Sequence, residues 1–140
     1  MRRTLQADVT GPTGTSEVLL TGVSFPVISG RKYKYRAVVD IALGATSYGS
    51  TLMAGTGVST SRMVNIATMQ GTSVTSQVVS YSTAVASGTA PASVGSANNI
   101  GIIEGVFTAS ADGTFTVSAK LSAAGTFTAK AASFIEWQEL

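Results

Sequence analysis

The feature that most constrains the fold is a strict alternation of apolar and other side chains over residues 32–43. Every second position is apolar, and the set is Tyr33, Tyr35, Ala37, Val39, Ile41 and Leu43. Successive side chains of a β-strand point to opposite faces of the sheet, so a period of two indicates a half-buried strand. We therefore expect a long strand with these side chains in the core and Lys32, Lys34 and Arg36 on the outer face.

Further strand signals follow along the chain, separated by Gly, Ser, Thr and Pro. The middle third, 44–99, is less regular, and about two or three short strands are expected there. Gly-Thr-Phe-Thr occurs at 113–116 and again at 125–128, which predicts a hairpin with Phe115 and Phe127 on its core face. Because no window has the apolar spacing of a helix, about seven to eight strands should form an antiparallel β-sandwich or jelly roll.

The first sixteen residues lack any periodic apolar pattern. They contain the run Gly-Pro-Thr-Gly-Thr-Ser, which is typical of turns and extended chain. The sequence therefore predicts an extended N-terminal arm over 1–16 and a single β-domain over 17–140. Within the arm, Arg2, Arg3 and Leu5 are candidates for contacts with neighbouring subunits.

The final strand, 133–140, carries large apolar side chains on both faces. Ile135 and Trp137 share one face, and Phe134 lies on the other. Only one face of a strand can meet its own core, and open aromatic surface is uncommon on monomers. We expect at least one of Phe134 and Ile135 at a subunit contact, with Leu140 beside it. Trp137 is either a core residue or an interface anchor, since Trp is enriched among binding hot spots.

A low content of charge points to a surface that other molecules cover. Charged residues make up 11% of the 140 residues and apolar residues 44%, against a usual charged share of about 25%. Each charge buried without a partner costs several kcal/mol, so an interface favours Ser, Thr, Gly and Ala instead. The alternative is a monomer that relies on Ser and Thr for solubility.

The chemistry available to the chain argues against an enzyme. It has no cysteine and no histidine, so it lacks disulfides, thiolate ligands and the usual general base near neutral pH. No phosphate-binding Gly-rich loop occurs, and the carboxylates of Asp40 and Glu104 are better explained by ion pairs than by catalysis. We predict no catalytic residue, no cofactor and no metal. Without a secretory signal or a long apolar run, the chain is expected to be made in the cytoplasm.

The basic outer face of the strand at 32–43 is a possible nucleic-acid surface. Proteins that bind single strands place aromatic side chains among their basic ones on the same exposed face. Here Tyr33 and Tyr35 point the opposite way, which argues against nucleic acid. An acidic protein surface, or ion pairs with Asp40, Glu104 and Glu136, explains the same charges better.

Several short segments resemble the small jelly-roll modules of tailed-phage virion proteins, which include head decoration proteins and fibre tips. They are 19–27, 30–36, 103–107, 113–115 and 132–140. The resemblance follows the order of elements over roughly 17–140 and depends on short motifs. It implies a homotrimer of jelly rolls, similar to the tumour-necrosis-factor architecture, with a structural role in the virion.

Two functions fit this resemblance. A decoration protein sits on the capsid surface and clamps neighbouring capsomers, whereas a fibre tip binds a host receptor or glycan. A short chain with no shaft before its domain and with a polar arm favours decoration, with further copies and the major capsid protein as partners. The residues expected at contacts are Arg2, Arg3, Leu5, Lys32, Lys34, Arg36, Phe134, Ile135, Trp137 and Leu140.

Overall fold

The computed structural model describes residues 1–11, 16–44, 50–71, 77–82, 98–121 and 125–140. These residues form eleven β-strands and no helix, so none of them contributes to a helix that could cross a membrane. The strands are β1 (Arg2–Thr4), β2 (Val9–Thr10), β3 (Val18–Val27), β4 (Lys32–Leu43), β5 (Ser50–Thr56), β6 (Thr60–Gly71), β7 (Gln77–Ser82), β8 (Asn98–Ala109), β9 (Gly113–Leu121), β10 (Phe127–Ala129) and β11 (Phe134–Glu139).

The strands form two sheets that pack face to face. The larger sheet runs in the order β1-β11-β4-β8-β6-β7. At the C-terminal end of β4, β10 pairs with β4 and β2 pairs with β10. The smaller sheet runs β3-β9-β5, and the strand pairs described in both sheets are antiparallel. The apolar faces of both sheets enclose one core. The predicted all-β antiparallel sandwich of jelly-roll type is therefore confirmed.

An aromatic cluster at the centre of the core joins the two sheets. Phe25 and Phe115 enter it from the smaller sheet, and Tyr33, Tyr35 and Phe107 enter from the larger one. Neighbouring rings have centroids between 4.6 and 6.3 Å apart, which is the range in which aromatic pairs attract. The two tyrosines are the first inward residues of β4, so the predicted alternation of that strand accounts for two of the five rings in this cluster.

The near-repeat does not form the predicted hairpin. β9 pairs with β3 and β5 in the smaller sheet, whereas β10 pairs with β4 and β2 in the larger one. Phe115 and Phe127 are both buried, as predicted, but they enter the core from opposite sheets. Alternation defines which face of a strand is apolar and leaves its partner strand unspecified.

The N-terminal segment, residues 1–11, lies along the edge of the larger sheet. β1 pairs with β11 and β2 pairs with β10, so the segment is extended but bound to the domain. This corrects the prediction of an arm that stands apart from the domain, and residues 12–15 of that arm lie outside the described residues. In the middle third, β5, β6 and β7 supply three strands, as expected, and β6 is as long as β4, with twelve residues.

Candidate interaction face

The outer face of the larger sheet, turned away from the smaller sheet, carries the basic residues singled out from the sequence. Lys32, Lys34 and Arg36 are exposed, whereas Tyr33 and Tyr35 between them are 3% and 1% exposed. The alternation of β4 therefore places the charges outside and the rings inside, as predicted.

Four charged side chains form a row across this face, here named the charge ladder. Arg2 lies opposite Glu136, with Nη1 and Oε1 3.7 Å apart, and Arg36 lies opposite Glu104, with Nε and Oε2 3.4 Å apart. Glu136 and Arg36 are neighbours in the β11–β4 register, so the signs alternate over four strands. Ion pairs between side chains this exposed contribute only about 0–1 kcal/mol each, so the charge ladder adds little to the stability of the fold.

The ion pair predicted for Asp40 is not found. Asp40 lies opposite Ile100 in the β4–β8 register, and it forms no ion pair with any other residue that the structure describes. The predicted pair with the basic face of β4 is confirmed for Glu104, whose partner is Arg36, whereas Glu136 pairs instead with Arg2 of β1.

Beyond the charge ladder, the outer face becomes apolar. Val64, Ile66 and Val106 are between 36% and 44% exposed, and we name these three side chains the aliphatic patch; Ile100 is also exposed but lies further along β8, beyond Glu104. Val64 lies directly opposite Val106 in the β6–β8 register, with Ile66 two positions further along β6. The patch borders a shallow recess of about 370 Å³, which Lys34, Arg36 and Glu104 also line. Exposed aliphatic side chains grouped across two strands are typical of an interaction surface.

The aliphatic patch was not predicted from the sequence. β8 alternates between two apolar sets, with Ile103 and Phe107 on one face and Ile102 and Val106 on the other. Both sets are strand formers, and only the packing of β8 between β4 and β6 shows that the first faces the core. A possible signal was Glu104, a charged residue within the second set, which marks that face as the outer one.

Three further cations lie at one end of the aliphatic patch. Lys32 and Arg62 lie opposite Thr108 from its two sides, and Lys34 lies opposite Val106. Lys32, Arg62 and Thr108 line a recess of about 280 Å³ that also reaches Val106. The part of the chain that the structure describes offers none of these cations a carboxylate partner within 4.0 Å. This end of the face therefore suits acidic groups on another molecule.

The closing strand β11 is covered by its own chain. Ile135 is fully buried, and the ring of Trp137 stacks on Phe25 with centroids 4.9 Å apart and planes 9° apart. On the opposite face, the guanidinium of Arg2 lies 3.9 Å from the centre of the Phe134 ring, a cation–π contact. These contacts correct the expected interface role of Ile135, and they explain how a strand with large apolar groups on both faces is accommodated without a partner.

The other predicted contact residues divide between core and surface. Leu5 is 5% exposed and packs in the core, and its predicted contact with a neighbouring subunit stays a prediction. The guanidinium of Arg3 donates to the carbonyl and hydroxyl oxygens of Ser24, at 3.4 and 3.3 Å. Leu140 is exposed, and its amide donates to the carbonyl of Lys32.

A buried hydrogen bond crosses the sheet beneath the outer face. The Tyr35 hydroxyl donates to Asn65 Oδ1 at 2.7 Å, passing over Gly105, which lies opposite both residues in the registers. A Cβ at Gly105 would overlap the carbonyl oxygen of Val64 and lie 3.0 Å from Asn65 Cα, so only glycine leaves room here. Burial, and then the negative charge of Glu104, raise the pKa of Tyr35, so its hydroxyl keeps the donated proton.

With the fold and this face described, the chain can be compared with known proteins. It is an all-β, jelly-roll-like module, but neither the family models nor the curated proteins compared with it give a match. Among solved structures, it is similar to the Eiger TNF of S. frugiperda at 6% identity, covering 100% of this chain and 92% of that one with a TM-score of 0.40.

Two carbohydrate-binding structures are more distant neighbours. TmCBM61 in complex with β-1,4-galactotriose aligns at 9% identity over 87% of this chain and 68% of that one, with a TM-score of 0.27. The CBM22-1–GH10 modules of a Clostridium thermocellum xylanase align at 9% identity over 96% and 28%, with a TM-score of 0.30. These similarities concern the fold at low identity.

Proposed function

We propose that this chain is a structural virion protein, a homotrimeric decoration protein that stabilises a bacteriophage head. The observation that carries the proposal is the aliphatic patch, three exposed side chains grouped on a sheet face of a protein with little charge. Covering such a patch with protein contributes roughly 25 cal/mol per Å² of apolar area removed from water. Association with further copies and with the major capsid protein is the proposed means of covering it.

The charges around the patch support contact with a second kind of surface. The charge ladder satisfies Arg2 and Arg36 within the chain, whereas Lys32, Lys34 and Arg62 face outward at one end of the patch. Charge complementarity steers association and fixes orientation more than it adds affinity. We infer that this cationic end meets an acidic part of the capsid surface, while the aliphatic patch supplies most of the association free energy.

Substitution within the patch tests this proposal. Ile66→Asp places a carboxylate opposite Glu104, and Arg36 beside it is already paired with Glu104, so burial in an interface would leave the new charge unpaired and self-association should weaken at least tenfold. Thr114→Asp is the matched control, since Thr114 is an exposed residue of β9 in the other sheet. Molar mass by light scattering at a series of concentrations measures both. Equal association of Ile66→Asp and Thr114→Asp would overturn the role of the patch.

A binding experiment separates the decoration role from that of a fibre tip. Purified protein is added in parallel to empty expanded capsids and to host cells. Saturable binding to capsids, reduced by raised salt as the cationic end requires, is the expected result. Binding to host cells alone would contradict a decoration protein and would indicate a fibre tip that recognises a receptor or glycan.

A further inference from the structure

The N-terminal segment is held mainly by main-chain hydrogen bonds to β10 and β11. Met1 and Trp137 exchange two such bonds, of 2.8 and 2.9 Å. Leu5 donates to the carbonyl of Ser133 at 2.7 Å and accepts from the amide of Ala132 at 3.0 Å. This is the mode in which an extended peptide adds to the edge of a sheet, where the backbone supplies the binding energy.

One side chain anchors the segment between the sheets. Leu5 is the only residue of the segment that is buried, and it packs over Gly22 in the irregular stretch of β3. A Cβ at Gly22 would overlap Leu5 Cδ1 and lie 3.2 Å from Leu5 Cα, so the glycine forms a socket for this leucine. The edges of β10 and β11 and the socket at Gly22 together form a groove, which we name the strand groove.

In the second half of the segment, Asp8 is hydrogen-bonded to the turn that precedes β11. Its carboxylate accepts from the Ala131 amide at 2.7 Å and from Lys130 Nζ at 2.9 Å. These two hydrogen bonds lower the pKa of Asp8, so the carboxylate remains charged in mildly acidic solution. Both bonds are exposed, and any second copy of the chain presents the same two donors, the Ala131 amide and Lys130 Nζ.

We propose that the N-terminal segment is exchanged between neighbouring copies, so that each strand groove holds the segment of another chain. This inference rests on the proposed self-association. Exchange preserves the hydrogen bonds of the segment, and inside an assembly the neighbouring segments reach a local concentration that competes with the chain's own segment. Release of the segment uncovers little apolar surface besides Leu5 and Val9 but leaves a row of unpaired backbone groups, which is a template for an identical strand.

Engineered cysteines test the exchange, because the natural chain has none. The hydroxyls of Thr10 on β2 and Thr128 on β10 are 3.3 Å apart, so cysteines at these positions are within disulfide distance. Thr10→Cys and Thr128→Cys variants are purified separately, mixed, dissociated in mild denaturant, reassembled and oxidised. A denaturing gel without reductant then reports the covalent species, and light scattering of the same sample reports the assembly.

A disulfide-linked pair of chains that appears only in the mixture, and in neither variant alone, is the expected result. The matched control mixes Ala42→Cys with Asn98→Cys, register partners on β4 and β8 that lie outside the exchanged segment and at the other end of β4 from the cations, and it should give no such pair. If the mixture assembles but stays uncrosslinked while a Thr10→Cys/Thr128→Cys double variant closes within one chain, exchange is overturned and self-association stands. A monomeric mixture would instead contradict the self-association on which exchange rests.

Discussion

At the scale of single residues, the hydrogen bond from Tyr35 to Asn65 joins β4 to β6 across β8. Tyr35→Phe removes the donor and leaves the Asn65 amide, 1% exposed, with no partner for Oδ1 among the described residues. An orphaned buried polar group costs about 1–3 kcal/mol, so the free energy of unfolding in urea should fall by that amount. Combined with Asn65→Leu, which removes the group left unpaired, the loss should be smaller than the sum of the single losses. Additive losses would show that the two side chains are not coupled.

The same tyrosine gives the protein a defined response to alkali. Because the folded pKa of Tyr35 is raised above its usual value of 10.0, the unfolded chain ionises first as pH rises. The contribution of Tyr35 to stability is complete below pH 10 and is lost above it, by about 1.4 kcal/mol per pH unit for one proton. The difference in stability between wild type and Tyr35→Phe should therefore shrink above pH 10. A difference that stays constant to pH 11 would show that Tyr35 ionises normally in the fold.

At the scale of elements, the alternation of β4 could be read from sequence because its outer positions carry charges. Lys32, Lys34 and Arg36 mark one face as solvent-facing, and the structure agrees at each of them. β8 lacks such marks except for Glu104, so its exposed Ile100 and Val106 could not be distinguished from core residues. An alternating sequence thus identifies the core face of a strand that has one polar face, and it does not identify the core face of a strand that is apolar on both faces.

The N-terminal segment escaped prediction for a different reason. A single leucine among polar residues gives no periodicity, and the socket that receives it at Gly22 is distant in sequence. Likewise, the repeated Thr-Phe-Thr places a phenylalanine on the core face of both β9 and β10. The repeat does not specify the partner strands, because the chain passes from one sheet to the other between them, so that β9 pairs with β3 and β10 pairs with β4. Such long-range pairings are properties of the assembled fold and leave no local signal.

Leu5→Ala tests how the N-terminal segment is held. The substitution empties the socket, and burying a leucine is worth about 2–5 kcal/mol against alanine, so the segment should open locally more often. The amide hydrogens of Ala132 and Trp137, which bond to the carbonyls of Leu5 and Met1, should exchange at least tenfold faster. Gln6→Ala is the control, since Gln6 is exposed and bonds only within the segment. Unchanged exchange at both amides would show that the main-chain bonds alone hold the segment.

At the scale of the whole molecule, the larger sheet divides its outer face into two halves. The half formed by β1, β11 and β4 pairs Arg2 with Glu136 and Arg36 with Glu104 of β8, and it covers Phe134 within the chain, but Lys32 and Lys34 of β4 face outward without a described carboxylate partner. The half formed by β8 and β6 exposes the aliphatic patch beside cations that face outward. A closed trimer buries surface from each subunit without leaving an open end, so it is an economical way to cover one such half on every copy.

The most direct measurement is the molar mass of the wild-type protein in solution by sedimentation equilibrium at micromolar concentration. Self-association through the aliphatic patch predicts a species of three times the 14.2 kDa chain. A single species of one chain throughout that range would mean that the exposed valines and isoleucines remain in water, and it would contradict the proposed assembly.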